Sequence, residues 1–252
     1  MKSKNDLKRN LKLPKNSKEL AEFFGILTGD GYINYYSNKH EYVIEISGHS
    51  EDDSEYFQYL SDLFLKLFNV KPCLYIRNNQ NSAYLRLRSK GVFYFLKGLG
   101  FVIGRKEQIG IPSWIWENDR YMYNFLRGLI DTDGSFILKK RNKFAPPYPV
   151  IKICSKSYSL INTVSLWMKN KGFSLWSGKE IKKDNRNGVI TKLYRLEISG
   201  NRNFKKWLKF IGFSNYKHIK KMGREGLSPF GFEPPIMEKP PLVGFFTTVS
   251  ER

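Results

Sequence analysis

Two nine-residue segments in different halves of the chain share one pattern of apolar and small residues closed by an acid and a glycine. They are FFGILTGDG at 23–31 and LRGLIDTDG at 126–134. The shared pattern places Asp30 and Asp133 at equivalent positions. If both segments are helices packed side by side, their ends bring the two carboxylates together. Two adjacent carboxylates in a strongly basic chain predict a metal site held against a nucleic acid.

Helical spacing explains why the two segments would meet. Ala21, Gly25 and Gly29 are four residues apart, and so are Gly128 and Thr132, which puts small residues on one face of each helix. Small side chains there allow two backbones to approach closely. The C-terminal end of a helix carries partial negative charge, so an acid just beyond it favours a compensating cation.

A divalent cation would meet that requirement. Hard cations take oxygen ligands, and Mg²⁺ keeps several waters when it binds. The expected ligands are the carboxylates of Asp30 and Asp133 and the main-chain carbonyls of Gly29 and Thr132. One acid–glycine pair is also an ordinary helix-to-strand turn, because aspartate forms local hydrogen bonds there. Two such pairs at equivalent places favour the metal site.

The elements that position these residues repeat along the chain. The expected helices are 17–29, 51–68, 91–99, a second motif helix that ends at Thr132, 157–171 and 203–210, and the expected strands are 32–37, 42–47, 72–77, 83–89, 135–140, 148–154, 175–182 and 190–199. Local matches, such as VIEIS at 43–47 beside VIKIC at 150–154, support a duplication. The sequence therefore predicts an α+β fold, a pseudo-symmetric duplication of α-β-β-α-β-β-α halves.

The predicted organisation of the chain has five parts. They are a basic flexible arm at 1–16, a first repeat at 17–111, a linker at 112–119, a second repeat at 120–222 and a poorly ordered proline-rich tail at 223–252.

Composition narrows the class of partner. The 252 residues include 43 Lys and Arg against 23 Asp and Glu, a net charge of +20 at pH 7. That excess favours a nucleic-acid backbone over a membrane surface, and no apolar run reaches the roughly 18 residues of a membrane span. The two cysteines and three histidines have no zinc-site spacing. The basic N-terminus lacks a signal peptide's apolar core, so we expect an intracellular protein of a prokaryotic cytoplasm or nucleoid, or of an organelle.

Alternation along the strands predicts a basic sheet face. Leu74, Ile76, Leu85 and Leu87 point one way, so their neighbours point the other. The candidate DNA-contacting residues are Tyr75, Arg77, Arg86 and Arg88 in the first half, and Lys139, Arg141, Lys152, Lys179 and Lys183 in the second. A solvated sheet face is the alternative, but the excess of basic residues favours base edges in the major groove. Two sheets of roughly 8-residue strands would span about 15 base pairs.

The two segments resemble the signature of the LAGLIDADG homing endonucleases, in the single-chain form that carries both copies. Residues 126–134 differ from the name motif at two of nine positions, whereas residues 23–31 are more distant and have Thr28 in place of the sixth-position acid. The resemblance covers about residues 17–222. It implies a saddle of two four-stranded sheets over DNA, with the motif helices packed at the centre.

The resemblance also implies roles for individual residues. Asp30 and Asp133 become the metal-binding catalytic residues. Family members use a basic residue near the site, and Lys106 is the best match in the first repeat. In the second repeat Lys217, Lys220 and Lys221 are candidates, of which we take Lys220. A solvated surface lysine is the alternative for each of them.

The function predicted from these features is a site-specific endonuclease that hydrolyses both strands of a long pseudo-palindromic DNA target. The expected cofactor is Mg²⁺, with Mn²⁺ able to substitute and Ca²⁺ able to bind without supporting cleavage. The resemblance implies cuts across the minor groove with short 3′ overhangs, and a monomeric enzyme of intron homing. Two alternatives use the same scaffold: an RNA maturase that binds intron RNA, and a non-cleaving DNA-binding regulator.

Overall fold

The computed structural model describes residues 2–77, 80–104, 106–183, 188, 190–224 and 249–250. The helices are α1 (Lys4–Lys8), α2 (Lys18–Gly29), α3 (Ser54–Phe68), α4 (Lys90–Gly98), α5 (Ser113–Trp116), α6 (Asp119–Asp133), α7 (Tyr158–Asn170), α8 (Asn201–Phe210) and α9 (Tyr216–Arg224), with a 3-10 turn at Lys106–Gln108. The strands are β1 (Gly31–Tyr36), β2 (Glu41–His49), β3 (Cys73–Arg77), β4 (Ser82–Arg88), β5 (Gly134–Lys139), β6 (Tyr148–Ser155), β7 (Leu175–Lys183), β8 (Ile190–Ser199) and β9 (Val249–Ser250). Within these ranges no helix combines the length and the apolar character needed to cross a membrane.

The strands form two sheets with the same antiparallel order. The first sheet runs β1-β2-β4-β3 and the second runs β5-β6-β8-β7. A short parallel strand, β9, joins the first sheet beside β3. The α+β prediction with two four-stranded antiparallel sheets is confirmed, and all eight predicted strands lie within two residues of the observed ones.

The chain divides into two compact units, each built from separate stretches. The first unit comprises Met1–Pro14, Gly31–Phe93 and Phe213–Arg252, and the second comprises Lys15–Asp30 and Tyr94–Gly212. The second unit therefore holds both motif helices, α2 and α6, together with the sheet β5–β8. The repeats expected at 17–111 and 120–222 are repeats of sequence and do not coincide with these units, because α2 packs along α6.

The core of the first unit forms where α3 packs on its sheet. Tyr56, Leu60 and Phe64 recur at helical spacing and are buried. Gly48 on β2 allows this packing, since a Cβ there would lie 3.1 Å from the Cζ of Phe57. The apolar face of the sheet is thereby covered.

The core of the second unit lies between its sheet and the helices α7 and α8. Phe136 on β5 stacks on Phe204 of α8, with ring centroids 5.0 Å apart. Trp207 is fully buried and donates from its indole nitrogen to the carbonyl of Gly212, 3.0 Å away. Helix α2 is buried from Leu20 to Gly29, and Asp30, which follows it, is half-buried.

The N-terminal residues are folded, in contrast to the flexible arm predicted for 1–16. Ser3 caps α1, and Asp6 returns the capping hydrogen bond. Asp6 is buried and accepts hydrogen bonds from the Ser89 hydroxyl at 2.7 Å and the Gly91 amide at 2.9 Å. Burial opposes ionisation of Asp6, but these hydrogen bonds outweigh it and lower its pKa. One buried acid thus anchors the segment 1–16, which its many basic residues had indicated to be a solvated arm.

The predicted linker and the predicted tail differ in how much of them the structure describes. The stretch expected as a linker at 112–119 contains α5, whose Ile115 is fully buried. The stretch expected as a tail at 223–252 lies outside the described residues, apart from the end of α9 and the strand β9.

Candidate active site

Helices α2 and α6 pack backbone against backbone. A Cβ added to Gly25 would lie 2.0 Å from the carbonyl oxygen of Phe125, and one added to Gly128 would lie 2.2 Å from the carbonyl oxygen of Glu22. Neither position has room for any side chain. The small residues that the spacing placed on one face of each helix therefore form the seam between the two helices.

The seam ends where the two aspartates lie. A Cβ on Gly29 would lie 2.0 Å from Oγ1 of Thr132 and 3.1 Å from the amide nitrogen of Asp133. Asp30 follows directly as the C-cap of α2, with its amide bonded to the Ile26 carbonyl at 3.1 Å. The two carboxylates are therefore carried side by side on the ends of two tightly packed helices.

Electrostatics at this tip disfavour two negative charges. Partial burial raises the pKa of Asp133 and the charge of Asp30 adds to the rise, while Lys106 opposes both, and together they bring the pKa to about 6. The Asp133 side chain keeps contact with solvent. A cation bound between the carboxylates would relieve this repulsion.

The raised pKa of Asp133 predicts a pH effect on stability. The folded-state pKa of about 6 exceeds the ordinary 3.8, so between these two pH values the folded protein keeps a proton on Asp133 that the unfolded chain has lost. The folded state therefore loses stability as pH rises from 3.8 through about 6. Asp133→Asn removes that loss. Without added cation, the melting temperature of the variant relative to wild type should rise by a few °C between pH 4 and pH 7. Thermal unfolding measures this, and a difference that does not change with pH would contradict it.

Lys106 lies beside both carboxylates. Its Nζ donates a hydrogen bond to the carbonyl of Gly29. Burial lowers the pKa of Lys106, although Asp133 and Asp30 partly counteract this. The Gly29 carbonyl, expected as a metal ligand, already accepts a hydrogen bond from Lys106. Only the second lone pair of its oxygen is therefore left to bind a metal ion.

The donors at the tip fit a hard divalent cation. Mg²⁺ typically binds through one or two carboxylates and keeps several waters. Asp30 and Asp133 supply two carboxylates, and the C-terminal ends of helices α2 and α6 supply main-chain carbonyls. In the part of the chain that the structure describes, no group of three or more His, Cys, Asp or Glu side chains is arranged to hold a metal ion.

The second predicted lysine, Lys220, lies on α9 in the first unit. Its Nζ is 3.3 Å from Oε2 of Glu55 and 4.8 Å from the Tyr216 ring centroid. Its neighbour Lys217 is less exposed and contacts Oδ1 of Asp53 at 3.0 Å. Both lysines are therefore held by acids of the first unit, and the catalytic role of Lys220 stays a prediction.

The polar face of the first sheet carries all four predicted residues, but it is more crowded than alternation indicates. Tyr75 is only 7% exposed, although it does not face the core. It stacks on Tyr84 at 5.1 Å, and Nη1 of Arg88 donates to its hydroxyl at 3.0 Å. The expectation that Tyr75 is an exposed DNA contact is therefore corrected: it supports Arg88 instead.

The arginines of this face are positioned by acids and aromatic rings. Nε of Arg86 donates to Oε1 of Glu45 at 2.5 Å, and Nε of Arg88 lies 3.4 Å from Oε1 of Glu41. Arg77 is exposed, with its guanidinium 5.0 Å from the Tyr84 ring centroid. Sequence reasoning missed both acids, because it counted charge over the whole face rather than by opposite residues.

The second sheet corrects part of the predicted basic face. Lys139 and Lys152 share one face, as expected, and both contact Glu197. Lys179 lies opposite Tyr194, which places it on the other face with Leu196. Lys179 was predicted to contact DNA because of its charge, without counting which face of the sheet alternate residues of β7 occupy. Lys183 falls at the end of β7, and its side chain lies outside the described residues.

Strand parity identifies two residues that the sequence reading missed. Lys182 and Arg195 lie on the same face as Lys152. Nη1 of Arg195 contacts Oε2 of Glu180 at 2.9 Å, and its guanidinium lies 4.9 Å from the Trp176 ring centroid. Counting alternate residues from Lys152 along the paired strands would have found both.

Arg141 follows β5 in an exposed loop. Its guanidinium lies 6.0 Å from the ring centroid of Tyr148. The Asn142 side chain organises this loop by accepting hydrogen bonds from the amides of Phe144 and Ala145, at 3.0 and 2.8 Å. Arg141 is therefore presented at the end of the hairpin, beyond Lys139.

Sequence comparisons agree with this architecture. Residues 120–212 match the family model of a LAGLIDADG-like domain. An uncharacterized protein of Methanocaldococcus jannaschii is 29% identical over 160 residues, which are 62% of this chain and 55% of that protein. A replication factor C small subunit of the same organism is 25% identical over 206 residues, which are 82% of this chain and 10% of that protein. The chain thus spans about half of the first relative and a tenth of the second.

Solved structures share the fold across most of the chain. A variant of I-DmoI, in complex with nicked target DNA and in the presence of 2 mM Mn, aligns with a TM-score of 0.54 at 23% identity, covering 77% of this chain and 95% of that one. The homing endonuclease I-WcaI, bound to its DNA recognition sequence, aligns with a TM-score of 0.50 at 16% identity, covering 86% and 92%. Residues 120–212 therefore match a LAGLIDADG-like domain, and the chain has the fold of the I-DmoI variant and of the homing endonuclease I-WcaI.

Proposed function

We propose that this protein is a site-specific endonuclease that hydrolyses both strands of a long double-stranded DNA target with a divalent cation. The observation that carries the proposal is the meeting of Asp30 and Asp133 at the end of the α2–α6 seam, with the pKa of Asp133 raised to about 6. The I-DmoI variant, which shares the fold, was studied with target DNA and Mn. Mg²⁺ is the cation we propose for this chain.

The reaction needs a cation, a nearby proton carrier and a positioned phosphate. When bound, the cation supplies Lewis acidity and an activated water. Asp30 and Asp133 would hold it, and the glycine seam fixes the spacing of the two helix ends that carry them. Lys106 places a donor beside both carboxylates. Because its pKa is lowered, it releases its proton at a lower pH than an ordinary lysine does. The expected products carry short 3′ overhangs.

The sheet faces supply DNA binding. Basic residues on them attract the phosphate backbone, and their side chains suit base edges in the major groove. Both sheets and both aspartates belong to one chain, so a monomer is the proposed active form. The substrate places the enzyme where DNA is, which agrees with an intracellular location.

Selection followed by cleavage tests the proposed function. The protein would first enrich sequences from a random double-stranded DNA pool in Ca²⁺, and Mg²⁺ would then be added to the complex. We expect an enriched target that is cut on both strands only with Mg²⁺ or Mn²⁺, with ends mapped by sequencing. A target that is bound and never cut would favour the non-cleaving regulator, whereas binding of intron RNA alone would favour the maturase.

Lys106 provides a separate prediction. Lys106→Met should slow single-turnover cleavage about 10²- to 10³-fold without weakening DNA binding. Because Lys106 lowers the pKa of Asp133, its loss should also move the acidic limb of the pH–rate profile to higher pH. Lys97→Met, which changes an exposed lysine on α4, is the matched control. An unchanged rate for Lys106→Met would remove Lys106 from the mechanism.

A further inference from the structure

The residue after each motif glycine begins a row of side chains across the polar face of its sheet. We call each of these an inner row, because it starts two residues after the motif aspartate. The first inner row is Tyr32, Glu45, Arg86 and Cys73, and the second inner row is Ser135, Lys152, Glu197 and Trp176.

Strand register makes the two inner rows equivalent position by position. The motif glycines pair in the same way, Gly31 with Ile46 and Gly134 with Ile153. One residue further, β2 contributes Glu45 where β6 contributes Lys152. On the next strand across, β4 contributes Arg86 where β8 contributes Glu197.

In the first inner row the acid comes before the base. Glu45 on β2 holds Arg86 on β4 through a 2.5 Å contact between Oε1 and Nε. The Glu45 side chain is 9% exposed and that of Arg86 is 19% exposed. The Tyr84 ring, 4.8 Å from the guanidinium, covers the pair from one side. The order from β2 to β4 is therefore negative, then positive.

In the second inner row the order is reversed. Lys152 on β6 lies 3.8 Å from Oε2 of Glu197 on β8. Lys139, two rows out, contacts the other oxygen of the same carboxylate at 3.0 Å. Burial opposes ionisation of Glu197, but the two lysines outweigh it and lower its pKa. The order from β6 to β8 is positive, then negative.

We propose that the two inner rows read DNA with opposite donor–acceptor polarity, so that the preferred target departs from palindromy at the base pairs facing them. This inference rests on the proposed function. A basic side chain favours the O6 and N7 acceptors of guanine, whereas a carboxylate accepts from the amino group of cytosine. A palindromic target presents the same pattern of base edges to both rows, and equivalent rows of opposite polarity cannot both match it.

Dimensions support a distinction at single base pairs. Adjacent strands are about 4.8 Å apart, and one base-pair step is about 3.4 Å. Exchanging the acid and the base between adjacent strands therefore moves each charge by a distance greater than one base-pair step. The pairs are already largely desolvated, and a carboxylate pressed against a base acceptor would lose its remaining water without gaining a hydrogen bond.

Reversing one row tests the inference. The double variant Glu45→Lys with Arg86→Glu keeps the net charge and an ion pair but gives the first inner row the order of the second. Wild type and variant would each select targets from a random double-stranded DNA pool in Ca²⁺, so that no cleavage is needed. We expect the base preference facing the first row to change to the mirror image of the preference facing the second row. The expected change is about 5-fold or more per base pair.

A matched reversal elsewhere controls for charge. Lys171 pairs with Asp119 at the N-terminal end of α6, which is the opposite end of that helix from Asp133. The variant Asp119→Lys with Lys171→Asp also reverses one pair at constant net charge. Its selected targets should match those of wild type at every position.

A wild-type target that is palindromic at the base pairs next to its centre would overturn the inference. So would a reversed variant that keeps the wild-type preference there. If that variant does not fold, Lys152→Glu with Glu197→Lys gives the second row the order of the first, and an unchanged preference counts in the same way. A wild-type protein that enriches no DNA at all would instead refute the proposed function, and the inference with it.

Discussion

Asp30→Asn and Asp133→Asn should each reduce DNA cleavage by at least about 10³-fold while the protein still binds its selected target. The two carboxylates sit on adjacent helix ends and share one electrostatic environment. An amide oxygen is a weaker ligand for a hard cation than a carboxylate. Losing either carboxylate should therefore remove most of the catalytic effect.

The double variant gives this prediction its sharpest form. Residues that act as one unit have non-additive effects, so Asp30→Asn with Asp133→Asn should be little worse than either single change. Asp62→Asn, an exposed aspartate on α3, is the control and should cleave normally. Single-turnover rates with Mg²⁺ and binding with Ca²⁺ provide the measurements. Either single variant cleaving within tenfold of wild type would contradict the shared site.

Gly25→Ala and Gly128→Ala should each destabilise the protein by about 3 kcal/mol or more. The added methyl groups would lie 2.0 and 2.2 Å from carbonyl oxygens of the facing helix. These are backbone atoms, so the helices themselves must separate. Separation also moves the aspartates at the helix ends, so cleavage should fall even in the fraction that stays folded.

Gly98→Ala is the matched control for the seam. Gly98 ends α4, and a Cβ there has nothing within 4 Å. Alanine should be neutral at this position or stabilise the protein by up to ~1 kcal/mol. Urea unfolding of the three variants measures the difference. If Gly25→Ala lost less than about 1 kcal/mol, the close packing of α2 and α6 would be refuted.

The parts of the fold that depend on local pattern were predictable from sequence. Strand alternation located all eight strands of the two main sheets, and small residues four apart indicated the helix seam. The start of the helix expected at 17–29 was also predictable, since the Ser17 hydroxyl caps α2 by accepting a hydrogen bond from the Leu20 amide at 3.1 Å. Each of these features is decided within a few residues of chain.

Features that depend on distant partners were not predictable in this way. Asp6 anchors the N-terminal segment through Ser89 and Gly91, more than eighty positions away. Tyr75 is buried because residues on the next strand cover it. Lys179 is different, because counting alternate residues along β7 would have placed it on the other face. Charge was given more weight there than geometry.

The acids on the polar faces of the two sheets bear on how the proposed enzyme would distinguish targets. The chain carries a net charge of +20, which favours DNA of any sequence. Glu45 and Glu197 hold basic side chains in fixed positions and repel phosphates or base acceptors that approach wrongly. In the proposed enzyme these acids would therefore lower the general affinity for DNA and increase discrimination between sequences.

A crystal structure of the protein with its selected DNA and Mn²⁺ tests the central claim most directly. Anomalous scattering from Mn²⁺ locates the cations independently of the protein atoms. We predict Mn²⁺ in direct contact with the carboxylates of both Asp30 and Asp133, next to the phosphates that are cut. Cations bound elsewhere, or the two aspartates separated and turned to solvent with DNA in place, would contradict it.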